Sequence, residues 1–137
     1  MEIIKTEVML LAPIDRVWDH FTDPKHVVKW FFAMPRYKCS KAENDLREGG
    51  SFHYLMEAKD KSYGYELLGT IKEIEHKRRI VINLEGDRDA IVTLVPVDEQ
   101  TTKFSLLFDP ETKNTRETQK RFWELILSSF ERYVEKE

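Results

Sequence analysis

Cysteine occurs once in this chain, at Cys39, so no intramolecular disulfide can form and no CxxC pair exists for thiol redox chemistry or a zinc site. Glycine and proline are scarce, five of each in 137 residues, and no glycine-rich loop leads from a strand into a helix. That removes the phosphate-cradling motifs; the pair Gly49-Gly50 reads as a turn. The GxSxG pattern of a nucleophile elbow is missing as well. His20, His26, His53 and His76 show no metal-ligand spacing, so no metal and no cofactor are expected. No run of eighteen apolar residues occurs, which argues against a transmembrane helix. The opening MEIIKTEVMLLAP has neither a long apolar core nor a charged leader, and the expectation is a cytoplasmic protein. Basic residues are dispersed: the net charge is −3 and the cationic clusters are short, such as Lys77-Arg78-Arg79, so no nucleic-acid partner is expected.

What the chain does have is aromatic mass. Three Trp, five Tyr and eight Phe stand in a chain that is 41% hydrophobic, enough to build one domain over residues 1 to 137 that buries roughly two thirds of its unfolded surface. Aromatic side chains fill cores, and they also wall apolar pockets.

The organising stretch is Thr115 to Glu135. Trp123, Ile126, Leu127, Phe130 and Val134 recur at steps of three and four, with Lys120, Glu124, Ser128, Glu131 and Glu135 opposite, as in an amphipathic helix. Asn114 followed by Glu117 has the form of a capping box, with Asp109 before Pro110 as a competing start. At helical rise the segment spans about 30 Å, so it can cross a whole sheet.

Upstream, Ile3 to Leu11 alternates as a strand, with Ile4, Thr6, Val8 and Leu10 in one parity. Pro13 then opens a short helix through Phe21. Thr22-Asp23-Pro24 ends it and caps a second, running from Pro24 to Trp30 or Phe31. An extended piece around Arg36 to Ser40 and a polar turn at Glu43-Asn44-Asp45 follow. Ser51 to Lys59 places Phe52, Tyr54 and Met56 opposite His53, Leu55 and Glu57, and Tyr63 to Glu75 returns as its hairpin partner with Tyr65, Leu67 and Ile71 in one parity. Arg79 to Leu84, Asp89 to Val95 and Thr102 to Phe108 are three further strands. Strand, two small helices, a meander and a long final helix make an α+β fold with the helices on one face of an antiparallel sheet.

Four segments in order, APIDRVWDHFTDPKHVVKW from Ala12 to Trp30, Asp45 to Phe52 with Gly49-Gly50, GTIKEI from Gly69 to Ile74, and the helix Trp123 to Tyr133, resemble the heat-shock-protein ATPase activator homologues of the START-related (SRPBCC) superfamily. The resemblance covers nearly the whole chain. It implies a helix-grip fold, a curved antiparallel sheet of six to seven strands around the C-terminal helix, with an apolar cavity between them. In that superfamily the cavity commonly receives lipids, sterols or polyketides. The segment Asp109 to Lys113 departs from the pattern by lacking the glycines often found before the last helix.

On this reading the chain binds a small apolar or amphipathic molecule, and Trp30, Phe52, Tyr54, Met56, Tyr65, Leu67, Trp123, Ile126, Leu127 and Phe130 line its cavity. Phe130 and Ile126 are core unless the sheet stands off from the helix. Two alternatives stay open: a cochaperone-like domain that meets a chaperone-type partner through its surface, and an enzyme of the polyketide cyclase kind. For acid and base chemistry the candidates are Glu66, Tyr54, Tyr65 and Asp109, but alternation turns Glu66 away from Tyr65 and argues against a dyad.

Overall fold

Alternation of apolar and polar side chains lays down the sheet, and the computed structural model, which describes residues 3–136, shows where each alternation starts and stops. Among the described residues there are seven strands, β1 (Ile4–Leu10), β2 (Tyr37–Asn44), β3 (Ser51–Ala58), β4 (Gly64–Glu75), β5 (Arg79–Leu84), β6 (Arg88–Asp98) and β7 (Thr101–Phe108). Three helices complete the fold: α1 (Ile14–Thr22) and α2 (Pro24–Val27) after β1, and α3 (Arg116–Glu135) at the end. All strand pairs are antiparallel and the order across the sheet is β1-β7-β6-β5-β4-β3-β2. Strands β2 to β7 are thus a meander. β1 reaches the far edge because α1 and α2 carry the chain across and leave it to start β2 at the other side.

The sheet curls into a half-barrel and α3 packs against its inner face, so the fold is the helix grip. Register places one residue set inward on every strand: Ile4, Thr6, Val8 and Leu10 on β1 oppose Phe108, Leu106, Phe104 and Thr102 on β7, which in turn oppose Ala90, Val92 and Leu94 on β6. Three register shifts, between Cys39 and Lys41, between Ile71 and Glu73 and between Pro96 and Asp98, each insert a residue, bend their strand and tighten the curl. At Gly69 a side chain has no room. An added Cβ would stand 2.9 Å from the Phe52 ring and 2.4 Å from the Asn83 carbonyl oxygen, so the aromatic ring lies across the glycine backbone.

Local chemistry explains several differences from the sequence expectation. The second helix stops at Val27 and continues only as a turn through Trp30, whose indole Nε1 donates to the His20 carbonyl at 2.8 Å. That bond and stacking on Phe21 at 5.5 Å fix Trp30 in the corner. The cap of α3 is Thr115, whose hydroxyl accepts from the Thr118 amide at 3.1 Å, and not Asn114; the Asn114 side chain instead donates to Glu111 at 3.0 Å. β2 runs on through the expected turn to Asn44, and β6 begins one residue earlier, at Arg88.

Cavity between the sheet and the C-terminal helix

Where α3 meets the sheet closely, it does so along β1. Its C-terminal half is fastened there: Glu135 Oε2 accepts from the Leu11 amide at 2.8 Å, and Arg16 donates to the Val134 carbonyl at 3.3 Å. Farther along the curled sheet the helix stands off. The gap is a cavity of about 810 Å³, walled by inward residues of β3 to β7, the α1–α2 corner and the N-terminal half of α3. Its mouth lies between the β5–β6 turn at Glu85 and Gly86, the outer part of β4 and the loop from Pro110 to Asn114. β4 extends past the end of β5, since its pairing with β5 begins only at Gly69, and this leaves the opening.

The wall is mainly aromatic and aliphatic, with a short polar inventory. Tyr54 Oη accepts from Asn44 Nδ2 at 2.9 Å, and the same amide donates to the Thr22 carbonyl at 2.8 Å. Burial pushes the Tyr54 hydroxyl up to about 12, the Asn44 bond offsetting part of it. Tyr65 is likewise pushed up to about 12 by burial, with the Arg88 charge acting in the opposite direction. Gln119 is fully engaged: its oxygen accepts from the Glu111 amide at 2.9 Å and its nitrogen donates to the carbonyls of Glu111 at 3.1 Å and Asn114 at 2.9 Å. This ties the mouth loop to the first turns of α3. The Glu111 carboxyl is held below its usual range by the N–H donors of Asn114 and Lys113.

Of the ten side chains assigned to the cavity from sequence, Trp30, Phe52, Tyr54, Tyr65, Leu67, Trp123, Ile126 and Leu127 lie on its wall. Met56 and Phe130 do not. Met56 is fully buried with its sulfur against the Ala33 amide at 3.3 Å, and Phe130 is enclosed by Trp30 at 4.7 Å and by Phe21 and Phe104 at 5.7 Å. Phe130 lies one turn past Ile126 and Leu127, where α3 has come close to the sheet. Glu66 lies on the outer face, 2.8 Å from His53 Nε2, and Asp109 accepts from the Asp89 amide at 3.0 Å, so neither carboxyl forms a pair with an inner tyrosine. Several wall residues escaped the sequence reading, among them Phe21, Phe31, Asn44, Arg88 and Phe122. Arg88 was within reach: counting back by two from Val92 and Ala90 puts it on the inward face.

Folding also gathers groups that the sequence spacing keeps apart. Asp19, His20 and His26 bring one donor atom each within 4.8 Å of one another. The two imidazoles face each other at 4.0 Å between ring centres, and His26 bonds Tyr133 through Nδ1 at 2.6 Å and approaches Asp19 through Nε2 at 3.4 Å. The two rings are tilted by 34° to each other. The arrangement works as a clamp between the α1–α2 corner and the end of α3.

Comparison with known proteins agrees with this architecture. Residues 11–135 match the family model described as "Activator of Hsp90 ATPase homolog 1-like protein". The AHSA1-like protein from Aeromonas hydrophila is 30% identical and superposes with a TM-score of 0.87, over 97% of this chain and 93% of that one. Chr148 from Cytophaga hutchinsonii is 34% identical with a TM-score of 0.81, over 97% and 92%. CalU16 from Micromonospora echinospora, at 24% identity, a TM-score of 0.71 and coverage of 96% and 75%, shares the fold. Among curated proteins none matches. No helix among the described residues is long and apolar enough to cross a membrane. A family match over nearly the full length, joined to a helix standing off a curled sheet, identifies the chain as a member of the AHSA1-like family of the START-related superfamily.

Proposed function

We propose that this chain is a single ligand-binding domain that takes up a small apolar or amphipathic molecule between its sheet and α3. The observation that carries the reading is the cavity itself, about 810 Å³ with an apolar wall and a few fixed polar groups, within the size range of small-molecule sites. Its polar groups suit orientation of a ligand better than proton transfer. Both inner tyrosines hold their protons to about pH 12, so neither is a base at neutral pH.

Titration with the neutral probe N-phenyl-1-naphthylamine, followed by probe emission and by quenching of Trp30 and Trp123, tests the proposal. Leu67 lies on the wall and is half-buried, so Leu67→Trp fills space without crowding a closed core. The parent should bind the probe, and Leu67→Trp should weaken uptake about tenfold while its melting temperature stays close to the parent's. A parent that takes up no probe would sink the binding reading. The family description supplies a second reading, stimulation of a chaperone ATPase. That activity would use the surface, so Leu67→Trp would leave it intact.

A further inference from the structure

Arg88 is the one charged side chain at an inward-facing strand position among the described residues. Register sets this: it pairs with Leu84 on β5 and precedes Ala90, Val92 and Leu94 by steps of two, all of them buried. The same cross-sheet row continues through Gly69 and Phe52 to Asn44. A cation on an apolar wall is unfavourable unless its N–H groups are met and its charge is balanced. The guanidinium is fixed by two backbone carbonyls, Nε to Glu85 at 3.1 Å and Nη1 to Asp109 at 3.3 Å. Carbonyls orient it without neutralising it, and among the described residues no carboxylate stands within ion-pair distance.

Tyr65 faces the same mouth. Its ring is held edge-on by Phe122 at 5.0 Å, and its hydroxyl makes no hydrogen bond among the described residues, whereas that of Tyr54 is bound by Asn44. Of the acids nearby, Glu111 has hydrogen-bond partners of its own, although it also feels the Arg88 charge from beyond ion-pair distance. Glu111 accepts from the amides of Lys113 and Asn114, each at 2.7 Å, and from the Asn114 side chain at 3.0 Å. Glu85 is exposed in its turn, where water and salt screen it, and Lys113 adds a second cation to the rim. Two donors with open capacity, one of them charged, thus stand at the entrance of an otherwise apolar chamber. Their chemical complement is a planar, two-oxygen anion.

We propose that the cavity takes amphiphiles ending in a single carboxylate, with the headgroup on Arg88 and the Tyr65 hydroxyl at the mouth and the apolar tail against the half-buried Phe21, Leu67 and Trp123. The assignment rests on the binding function proposed above and names its ligand class. The test compares two twelve-carbon compounds that differ in the headgroup, dodecanoate and 1-dodecanol. Each displaces N-phenyl-1-naphthylamine from the full chain at pH 8, dodecanoate below its micelle concentration and 1-dodecanol below its solubility limit. The parent should prefer dodecanoate by about tenfold or more. Arg88→Gln should abolish the preference while leaving dodecanol affinity within about twofold, and Arg88→Lys should keep part of it. Because Arg88 also anchors the β5–β6 turn, melting curves accompany both variants. Tyr65→Phe removes one oxygen and no protein hydrogen bond, and should weaken dodecanoate alone, by about threefold to tenfold, even if the Arg88 variants fold poorly. Equal affinity of the parent for the two compounds, or a preference that survives Arg88→Gln or is untouched by Tyr65→Phe, overturns the carboxylate assignment and leaves the cavity reading standing. Failure to bind the probe at all overturns both.

Discussion

The two halves of α3 carry similar side chains and meet different fates. In the C-terminal half Phe130 and Val134 are fully buried, and the backbone around them is pinned to β1, to Arg16 and, through Tyr133, to His26. In the N-terminal half Phe122, Trp123 and Leu125 are only half-buried, and the helix is secured chiefly by Gln119 to its own preceding loop, with one longer bond from Arg116 to the Ile3 carbonyl at 3.5 Å. One helix therefore acts as a plug at one end and a roof at the other. The difference comes from the sheet. Its curl brings β1 and β7 under the helix and carries β3 to β5 away from it, so identical aromatic side chains fill a core in one place and wall a chamber in the other.

Removing α3 from Trp123 onward is the most severe way to break the comparison. Truncation before Trp123 strips Ile126, Phe130 and Val134 from the inner face, and the expected result is loss of cooperative unfolding in a thermal scan, not a smaller stable protein. A surviving sharp transition would show that the sheet holds itself together and that α3 is only an appendage.

Single truncations at matched aromatic positions sharpen it. Phe130→Ala leaves a void among Phe21, Trp30 and Phe104 and should cost about 3–5 kcal/mol in urea denaturation. Phe122→Ala widens a space that is already open and should cost about 1 kcal/mol. Equal losses at the two positions would mean that both halves of the helix are equally packed.

The smaller effect lies at high pH. In the unfolded chain a tyrosine ionises near pH 10, whereas Tyr54 in the fold is pushed up to about 12, so between these values the folded state holds the extra proton. The stabilising difference is complete below pH 10 and declines as pH rises through 12, by about 3 kcal/mol at most. Tyr54→Phe cannot ionise and should flatten that part of the alkaline unfolding curve. A variant that declines as steeply as the parent would place the Tyr54 phenol in water.

Most strands were legible because a half-barrel imposes period two on nearly every segment that enters it. β1 through Ile4, Thr6, Val8 and Leu10 and β3 through Phe52, Tyr54 and Met56 follow that rule directly, whereas β5 at Arg79–Leu84 is a short run of β-branched residues buried on both faces. Phe52, Tyr54, Tyr65 and Leu67 were placed on the wall by the same inward parity, and Trp123, Ile126 and Leu127 by the apolar stripe of the last helix. Neither period could tell wall from core, which is why Met56 on β3 and Phe130 on α3 were grouped with them. The mouth was obscure for another reason. Its residues, from Glu85 and Arg88 to Glu111 and Gln119, come from a turn, a strand start, a loop and a helix, and no periodicity links them.

By itself the sequence determined the α+β order of elements, the inward set on each strand and the amphipathic stripe of α3, because these depend on local alternation and on solvent exclusion of apolar side chains. Tertiary structure alone decided how far the stripe stands from each strand. That distance depends on the summed twist and bulges of seven strands at once, and it alone places Arg88 and Tyr65 at an open mouth while Phe130 is closed into the core.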